Sequence, residues 1–344
     1  MDKLKLILVL LLLELTIMFG VKADTDDDPV IMIPTSTGMK GVGLGEILAD
    51  EIKAFISDFN VSFYLFTPRN PQTPQVVATN DTKSLKDSNF NPDFPTRVIC
   101  HGWGQNNKSE LNIMIRENYL ARGDFNVIVM DWSEAADDLN YILSSFRTEP
   151  AGKKLANFIK FLVKNAGLDT NNTYLIGHSL GAHVVGVAGK QLQEKKINTI
   201  FGLDAALPLF PYGSTSRRLD IGDGQYVESI HTDGGLLGRR KPIGNASFYP
   251  NYGNHQPGCV DLTTRCSHRR SWIYFAESLK IPNEFFAHQC NSYLGIRFRF
   301  CVQTGRSAFM GGEPSNYGRN VAGVYYLPVH ASYPYAVGVY TNQW

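Results

Sequence analysis

Tyr174-Leu175-Ile176-Gly177-His178-Ser179-Leu180-Gly181-Ala182 is the stretch on which the reading of this chain turns. An apolar run leads into the pentapeptide Gly177 to Gly181, and a helix-compatible segment from Ala182 to Gln193 follows it. A strand that turns sharply into a helix sets the middle residue on a tight elbow with its side chain exposed. The glycines two before and two after are needed because a Cβ there would collide with the neighbouring strand and helix. Ser179 is therefore a candidate nucleophile. A glycine-rich turn that merely packs a helix on a sheet would show the same letters, and the strand–turn–helix context favours the nucleophile.

Outward from the elbow, strand-like and helix-like stretches alternate. A strand at 61–66 is followed by a turn-rich connection, Pro68 to Pro74. Strand 96–100 leads to a helix near 109–121, strand 126–130 to a helix at about 150–165, and strand 173–176 to the elbow helix and a strand at 197–203. This alternation predicts a mostly parallel central sheet covered by helices on both faces. Residues 205–275 read differently, as short strands at 225–231 and 245–249 among Gly-, Pro-, Asn- and Arg-rich loops. In an open α/β sheet the site forms beyond the carboxyl ends of the strands, so these loops are expected to cover it.

A serine hydroxyl needs a histidine to take its proton, and that histidine needs an acid to hold its tautomer. In the α/β-hydrolase order, serine then acid then histidine, the acid ends a strand after the elbow. Asp204 closes Thr199-Ile-Phe-Gly-Leu203, with Asp220, Asp223 and Asp233 as loop competitors. His231, His255, His268, His288 and His330 all follow it, and any of them alone reads as a structural or surface histidine. His268 stands out only because Cys266 lies two residues away and a disulfide there would hold its loop. An oxyanion hole needs two backbone N–H groups. Leu180 follows the nucleophile, and Trp103 follows the strand end Cys100-His101-Gly102.

The bulk numbers bound the setting. Lys3 and Lys5, the apolar run Leu6 to Leu13 and Val21-Lys22-Ala23 read as a secretory signal over residues 1–23, ahead of one α/β domain at 24–344. The apolar run is shorter than the roughly 20 residues a spanning helix needs, and Glu14 breaks it. The mature chain is expected to be secreted and extracellular. A net charge of +1 with 19% charged residues gives no reason to expect nucleic acid as a partner. Of five cysteines, the expected pairs are Cys259–Cys266 and Cys290–Cys301, with Cys100 a buried free thiol in its apolar strand. Asn60, Asn80, Asn107, Asn171 and Asn245 open glycosylation patterns; Asn60 begins a strand-like run and is set aside. Asp24 to Gly45 reads as an irregular arm.

Taken together, these segments resemble the pancreatic lipase family of secreted esterases. The resemblance is carried by His101-Gly-Trp103, Asp131-Trp-Ser133, Gly177-His-Ser-Leu-Gly-Ala-His183, Gly202-Leu-Asp204, Ile230-His-Thr-Asp233, Phe248-Tyr-Pro-Asn251, Gln256-Pro-Gly-Cys259 and Cys266-Ser-His268. It runs in order from about 60 to 330. It implies Ser179, Asp204 and His268 as a triad, Trp103 and Leu180 as oxyanion donors, and the two disulfides above. It also implies acyl-ester hydrolysis of lipids at a membrane or micelle surface, with no cofactor.

Three departures qualify the resemblance. The chain leaves no room for a C-terminal β-sandwich, so no colipase-type partner is expected. Of the family's calcium loop, Arg218, Asp220 and Asp223 match, but Thr215 replaces a carboxylate, and no bound metal is expected. The family's lid lies between the cysteines matching Cys259 and Cys266, and here only Val260 to Arg265 separate them, while the Gly234–Ser247 loop is also short. Short versions of both mark phospholipase A1 members; long ones mark triacylglycerol lipases. The expectation is thus a phospholipase A1 acting at the sn-1 ester, with triacylglycerol or galactolipid hydrolysis as the alternative within enzymes. A non-catalytic, yolk-type lipid-binding protein is the alternative outside them. Arg239, Arg240, Lys241, Arg265, Arg269 and Arg270 are candidates to meet a phosphate, with a solvated basic rim as the equal alternative.

Overall fold

The computed structural model of the chain describes residues 30–35, 38–43, 56–136, 141–259 and 265–340, the first two segments as backbone only. The signal segment 1–23 and Val260 to Thr264 lie outside the described residues. In chain order the elements are β1 (Val30–Thr35), β2 (Gly38–Gly43), β3 (Ser62–Phe66), β4 (Gln75–Val76), α1 (Thr82–Lys86), β5 (Thr96–Cys100), α2 (Glu110–Arg122), β6 (Asn126–Asp131), α3 (Ser133–Ala136), α4 (Tyr141–Ala166) and β7 (Thr173–His178). They continue with α5 (Leu180–Lys190), β8 (Thr199–Leu203), β9 (Tyr226–Ile230), β10 (Ala246–Pro250), α6 (Arg265–Ser278), β11 (Phe286–Cys290), α7 (Tyr293–Arg297), β12 (Gln303–Phe309) and β13 (Gly323–Leu327).

Eleven strands form one sheet in the order β12-β11-β13-β10-β9-β8-β7-β5-β6-β3-β4. From β6 across to β13 the neighbours are parallel; β3, β4, β11 and β12 pair antiparallel at the two margins. Strands β5, β7 and β8 are buried at every position, as strands covered on both faces must be. Alternate residues serve opposite faces. Val98, Cys100 and Leu175 pack with Leu155, Phe158 and Val184 of α4 and α5, while Ile99, Ile176 and Phe201 pack with Leu111, Ile115 and Phe275 of α2 and α6. This is the α/β-hydrolase architecture.

Several expectations need correction. The N-terminal arm is not irregular throughout, because β1 and β2 pair as an antiparallel hairpin. The helix placed at 150–165 starts at Tyr141, with Pro150 inside it. Proline suits the first helical turn, which is why it reads as a start. The region up to 275 holds a helix that sequence periodicity did not reveal, α6. Disulfides Cys259–Cys266 and Cys290–Cys301 form, with Cα–Cα distances of 5.6 and 5.1 Å, and Cys100 is free and buried.

Candidate active site

The elbow is built on backbone contact. A Cβ on Gly177 would stand 2.3 Å from Gly181 O, and one on Gly181 would stand 2.4 Å from Cys100 O and His101 O. Between them Ser179 adopts φ 56°, ψ −122°, a region a non-glycine residue occupies only under constraint. The constraint is visible: Ser179 N–H donates to Leu203 O at 3.1 Å, and Ala206 N–H donates to Ser179 O at 3.2 Å. These two bonds bracket Asp204, so the serine and the acid are fixed to one another through the end of β8.

Asp204 is fully buried, and each of its oxygens is engaged. Oδ2 lies 2.6 Å from His268 Nδ1, and Oδ1 accepts from Thr232 N–H at 2.8 Å and Asp233 N–H at 3.1 Å. A proton on Nδ1 facing Asp204 would leave His268 Nε2 as the ring's acceptor nitrogen. His268 sits on the first turn of α6 rather than in a loop, next to the Cys259–Cys266 bridge. The His178 ring, one residue before Ser179, lies 4.6 Å from the His268 ring. Burial and the neighbouring His268 push the His178 imidazole well below its ordinary range, so it packs there uncharged. Gly238 lines the far side of the acid, since a Cβ there would fall 2.3 Å from Asp204 Oδ1.

The loop after β5 comes directly against the serine: a Cβ on Gly102 would stand 2.8 Å from Ser179 Cβ. Gly102 N–H donates to Gln105 Oε1 at 2.9 Å, and Gly104 N–H donates to Ala136 O at 2.8 Å. Below the loop, Trp132 Nε1–H donates to His101 O at 2.9 Å and the His101 ring faces Asp131 at 3.3 Å. Burial alone would raise the Asp131 carboxyl, yet hydrogen bonds from His101 and Ser133 outweigh it and hold it well below the usual carboxylate range. Trp103 packs edge-on to Tyr141 at 5.4 Å, while Leu180 opens α5, where the first N–H groups have no acceptor within the helix. The loop of Trp103 and the N-terminus of Leu180 thus flank the Ser179 side chain.

The other expected residues separate by burial. His231 is buried apart from the serine, with Nδ1 2.8 Å from Arg239 O, Nε2 2.9 Å from Ser229 Oγ and its ring stacked on Tyr249. Burial lowers its pKa to about 4. Among the basic candidates, Arg239 and Arg270 do not reach a rim: Arg239 is fully buried against Tyr212, and Arg270 is buried over Tyr335 with a bond to Ala331 O. Arg240, Lys241, Arg265 and Arg269 remain at the surface. Asn60, Asn80 and Asn171 are exposed; Asn107 and Asn245 are half-buried, and Asn245 Oδ1 is engaged by Val227 N–H at 2.8 Å.

Two groups bear on metal binding. Among the described residues, only Asp204, Asp233 and His268 bring three ligand-type side chains together, within 4.8 Å. The hydrogen bonds to Asp204 already engage the oxygens an ion would need. In the Arg218–Asp223 loop, Arg218 Nη1–H donates to Asp220 Oδ1 at 2.9 Å, Asp220 N–H donates to Asp223 Oδ2 at 2.8 Å, and Lys190 pairs with Asp223. Ion pairs with Arg218 and Lys190 thus engage both carboxylates of this loop. Sequence reasoning missed the supporting parts: Gln105, His178, Gly238 and the N–H groups of Thr232 and Asp233. Backbone donors have no residue signature.

The Lipase family model matches residues 46–335. The chain is 33% identical over 308 residues to lipoprotein lipase of Sus scrofa, covering 82% of this chain and 64% of that protein. It is 32% identical over 267 residues to pancreatic lipase-related protein 2 of Mus musculus, covering 71% and 55% respectively. The match therefore spans less than two thirds of the length of these two relatives.

Proposed function

We propose that this chain, which belongs to the lipase family, is a serine carboxylic-ester hydrolase of lipids and releases the sn-1 acyl chain of phospholipids. The observation that carries the chemistry is the 2.6 Å contact of His268 Nδ1 with Asp204 Oδ2 beside the strained elbow of Ser179. In the first step His268 Nε2 takes the Ser179 hydroxyl proton as Oγ attacks the ester carbonyl. Charge on the carbonyl oxygen is met by the N–H groups of Leu180 and Trp103. The imidazolium, steadied by Asp204, then protonates the departing alcohol and leaves an acyl ester on Ser179. A water molecule that gives its proton to His268 attacks that ester, and the fatty acid leaves as Ser179 recovers its proton.

The substrate class rests on the lid. Only six residues separate Cys259 from Cys266, too few for a long apolar flap. A bulky neutral lipid draws its binding from buried hydrocarbon, at roughly 25 cal/mol per Å², so several hundred Å² less lid contact costs it several kcal/mol. A phospholipid recovers part of that through Arg240, Lys241, Arg265 and Arg269, which remain at the surface. Two disulfides and the signal-like segment 1–23 support an extracellular setting. Triacylglycerol hydrolysis stands as the second reading, favoured by relatives named lipoprotein lipase and pancreatic lipase-related protein. Initial rates on mixed-acyl phosphatidylcholine and on triolein, with positional analysis of the products, separate the two. Faster triolein cleavage would reject the phospholipid reading.

A further inference from the structure

We infer that the knob formed by α7 and the segment Phe298 to Val302 that follows it is the surface by which this protein docks on a phospholipid bilayer, an inference that rests on the lipid-hydrolase reading above. Four large apolar side chains stand outside the core here: Leu294, Phe298, Phe300 and Val302 are 55%, 60%, 56% and 54% exposed. A soluble protein seldom gathers so much exposed hydrocarbon in one place without a partner. The segment is not a loose loop. Cys290–Cys301 closes it, Phe298 N–H donates to Leu294 O at 3.0 Å, Phe300 N–H donates to Gly295 O at 2.9 Å, and Asn291 N–H donates to Val302 O at 2.9 Å. Arg299 between the two phenylalanines holds φ 60°, and their rings lie 6.3 Å apart and nearly parallel. The left-handed backbone at Arg299 closes the end of α7 and carries the chain on to Phe300.

Charge identifies the occupant. From Phe285 to Gly312 the chain has no Asp or Glu but carries Arg297, Arg299 and Arg306, all exposed. None of these arginines joins an ion pair among the described residues. Aromatic rings flanked by arginine fit the boundary between acyl chains and phosphate headgroups, with rings inserted and guanidinium groups on phosphates. Cys290, where the knob begins, pairs with Val324 near the amino end of β13, and from there the knob reaches toward the carboxyl end of β10. Arg299 Nη2–H donates to Asn254 Oδ1 at 3.3 Å, and Tyr293 packs 6.0 Å from Tyr249. Asn254 follows the carboxyl end of β10, the end of the sheet from which Cys259, Cys266 and His268 continue. Among the described residues no helix is long and apolar enough to cross a membrane.

The test uses the Ser179→Ala protein, so that vesicles stay intact, in co-sedimentation with phosphatidylcholine vesicles and with vesicles of phosphatidylcholine plus phosphatidylglycerol. Phe298→Ser with Phe300→Ser should lower the partition coefficient about tenfold on both. Arg297→Gln with Arg299→Gln should lower it by up to about 25-fold on the anionic vesicles only, at roughly fivefold per basic residue near the surface. With Ser179 present, the same variants should hydrolyse a soluble short-chain ester at the parental rate, which shows that they fold and keeps docking separate from chemistry. If no form cleaves that ester, the hydrolase reading falls while the partition data still judge the docking surface. Unchanged partition of the phenylalanine variant overturns the inference. So does a wild-type dimer in size-exclusion chromatography that this variant disperses without loss of vesicle binding.

Discussion

At the nucleophile end of the site β7 and α5 meet backbone to backbone, whereas at the base end His268 is carried on a helix whose start is tied by a disulfide. The first contact leaves no room for a side chain at Gly177 or Gly181. The second rests on the Cys259–Cys266 bridge, the bond to Asp204, and two backbone N–H groups that orient the acid. Steric exclusion writes a residue code, since only glycine fits. Hydrogen bonds from the main chain write none. The nucleophile end therefore reads directly from sequence, and the base end does not.

The largest effects should fall on chemistry at both ends equally. Ser179→Ala and His268→Ala should each lower turnover by a factor on the order of 10⁶ and leave the fold intact, because members of a triad act as a unit. A few per cent of activity left in either variant would break the assignment. His231→Ala, by contrast, should act through stability, and crippled turnover with an unchanged melting midpoint would exchange the two histidines. The two ends should then separate on stability. Gly177→Ala forces a Cβ into backbone and should cost about 3 kcal/mol or more, read by urea unfolding. Cys259→Ser with Cys266→Ser should cost roughly 2–3 kcal/mol, as expected for so short a closed loop, and should also lower turnover. Full turnover in that variant would show that the bridge does not position His268.

The smallest effect is a pH dependence at the base end. His231 is held neutral, with its pKa lowered from 6.5 to about 4 by burial. The unfolded chain therefore binds the extra proton first as pH falls. This stabilisation is complete above pH 6.5 and is lost as pH drops toward about 4, by on the order of 2 kcal/mol between pH 7 and 5. His231→Gln should flatten that part of the stability–pH curve in denaturant titrations. An unchanged slope would mean that other groups govern acid unfolding.

The same contrast explains how much was legible. Strand β5 was placed at its observed bounds, and β7 and β8 to within two residues, because strands buried on both faces are unbroken apolar runs. Asp204 was legible from its place at a strand end, and the cysteine pairs from their proximity. Among five candidates His268 stands out only by its closeness to Cys266, and the family resemblance raises it further, since nothing in its neighbourhood marks α6 as a helix. Arginines were misread for a similar reason. Arg239 and Arg270 look like rim charges in sequence, yet aromatic faces and carbonyls receive them inside.

The central claim is that Ser179 is an activated nucleophile, and covalent labelling tests it most directly. Purified protein treated with a fluorophosphonate should gain one label per chain, located by peptide mass spectrometry on Ser179, with labelling abolished in Ser179→Ala and slowed by orders of magnitude in His268→Ala. Absence of label, or label at the same rate in the His268 variant, would contradict the account.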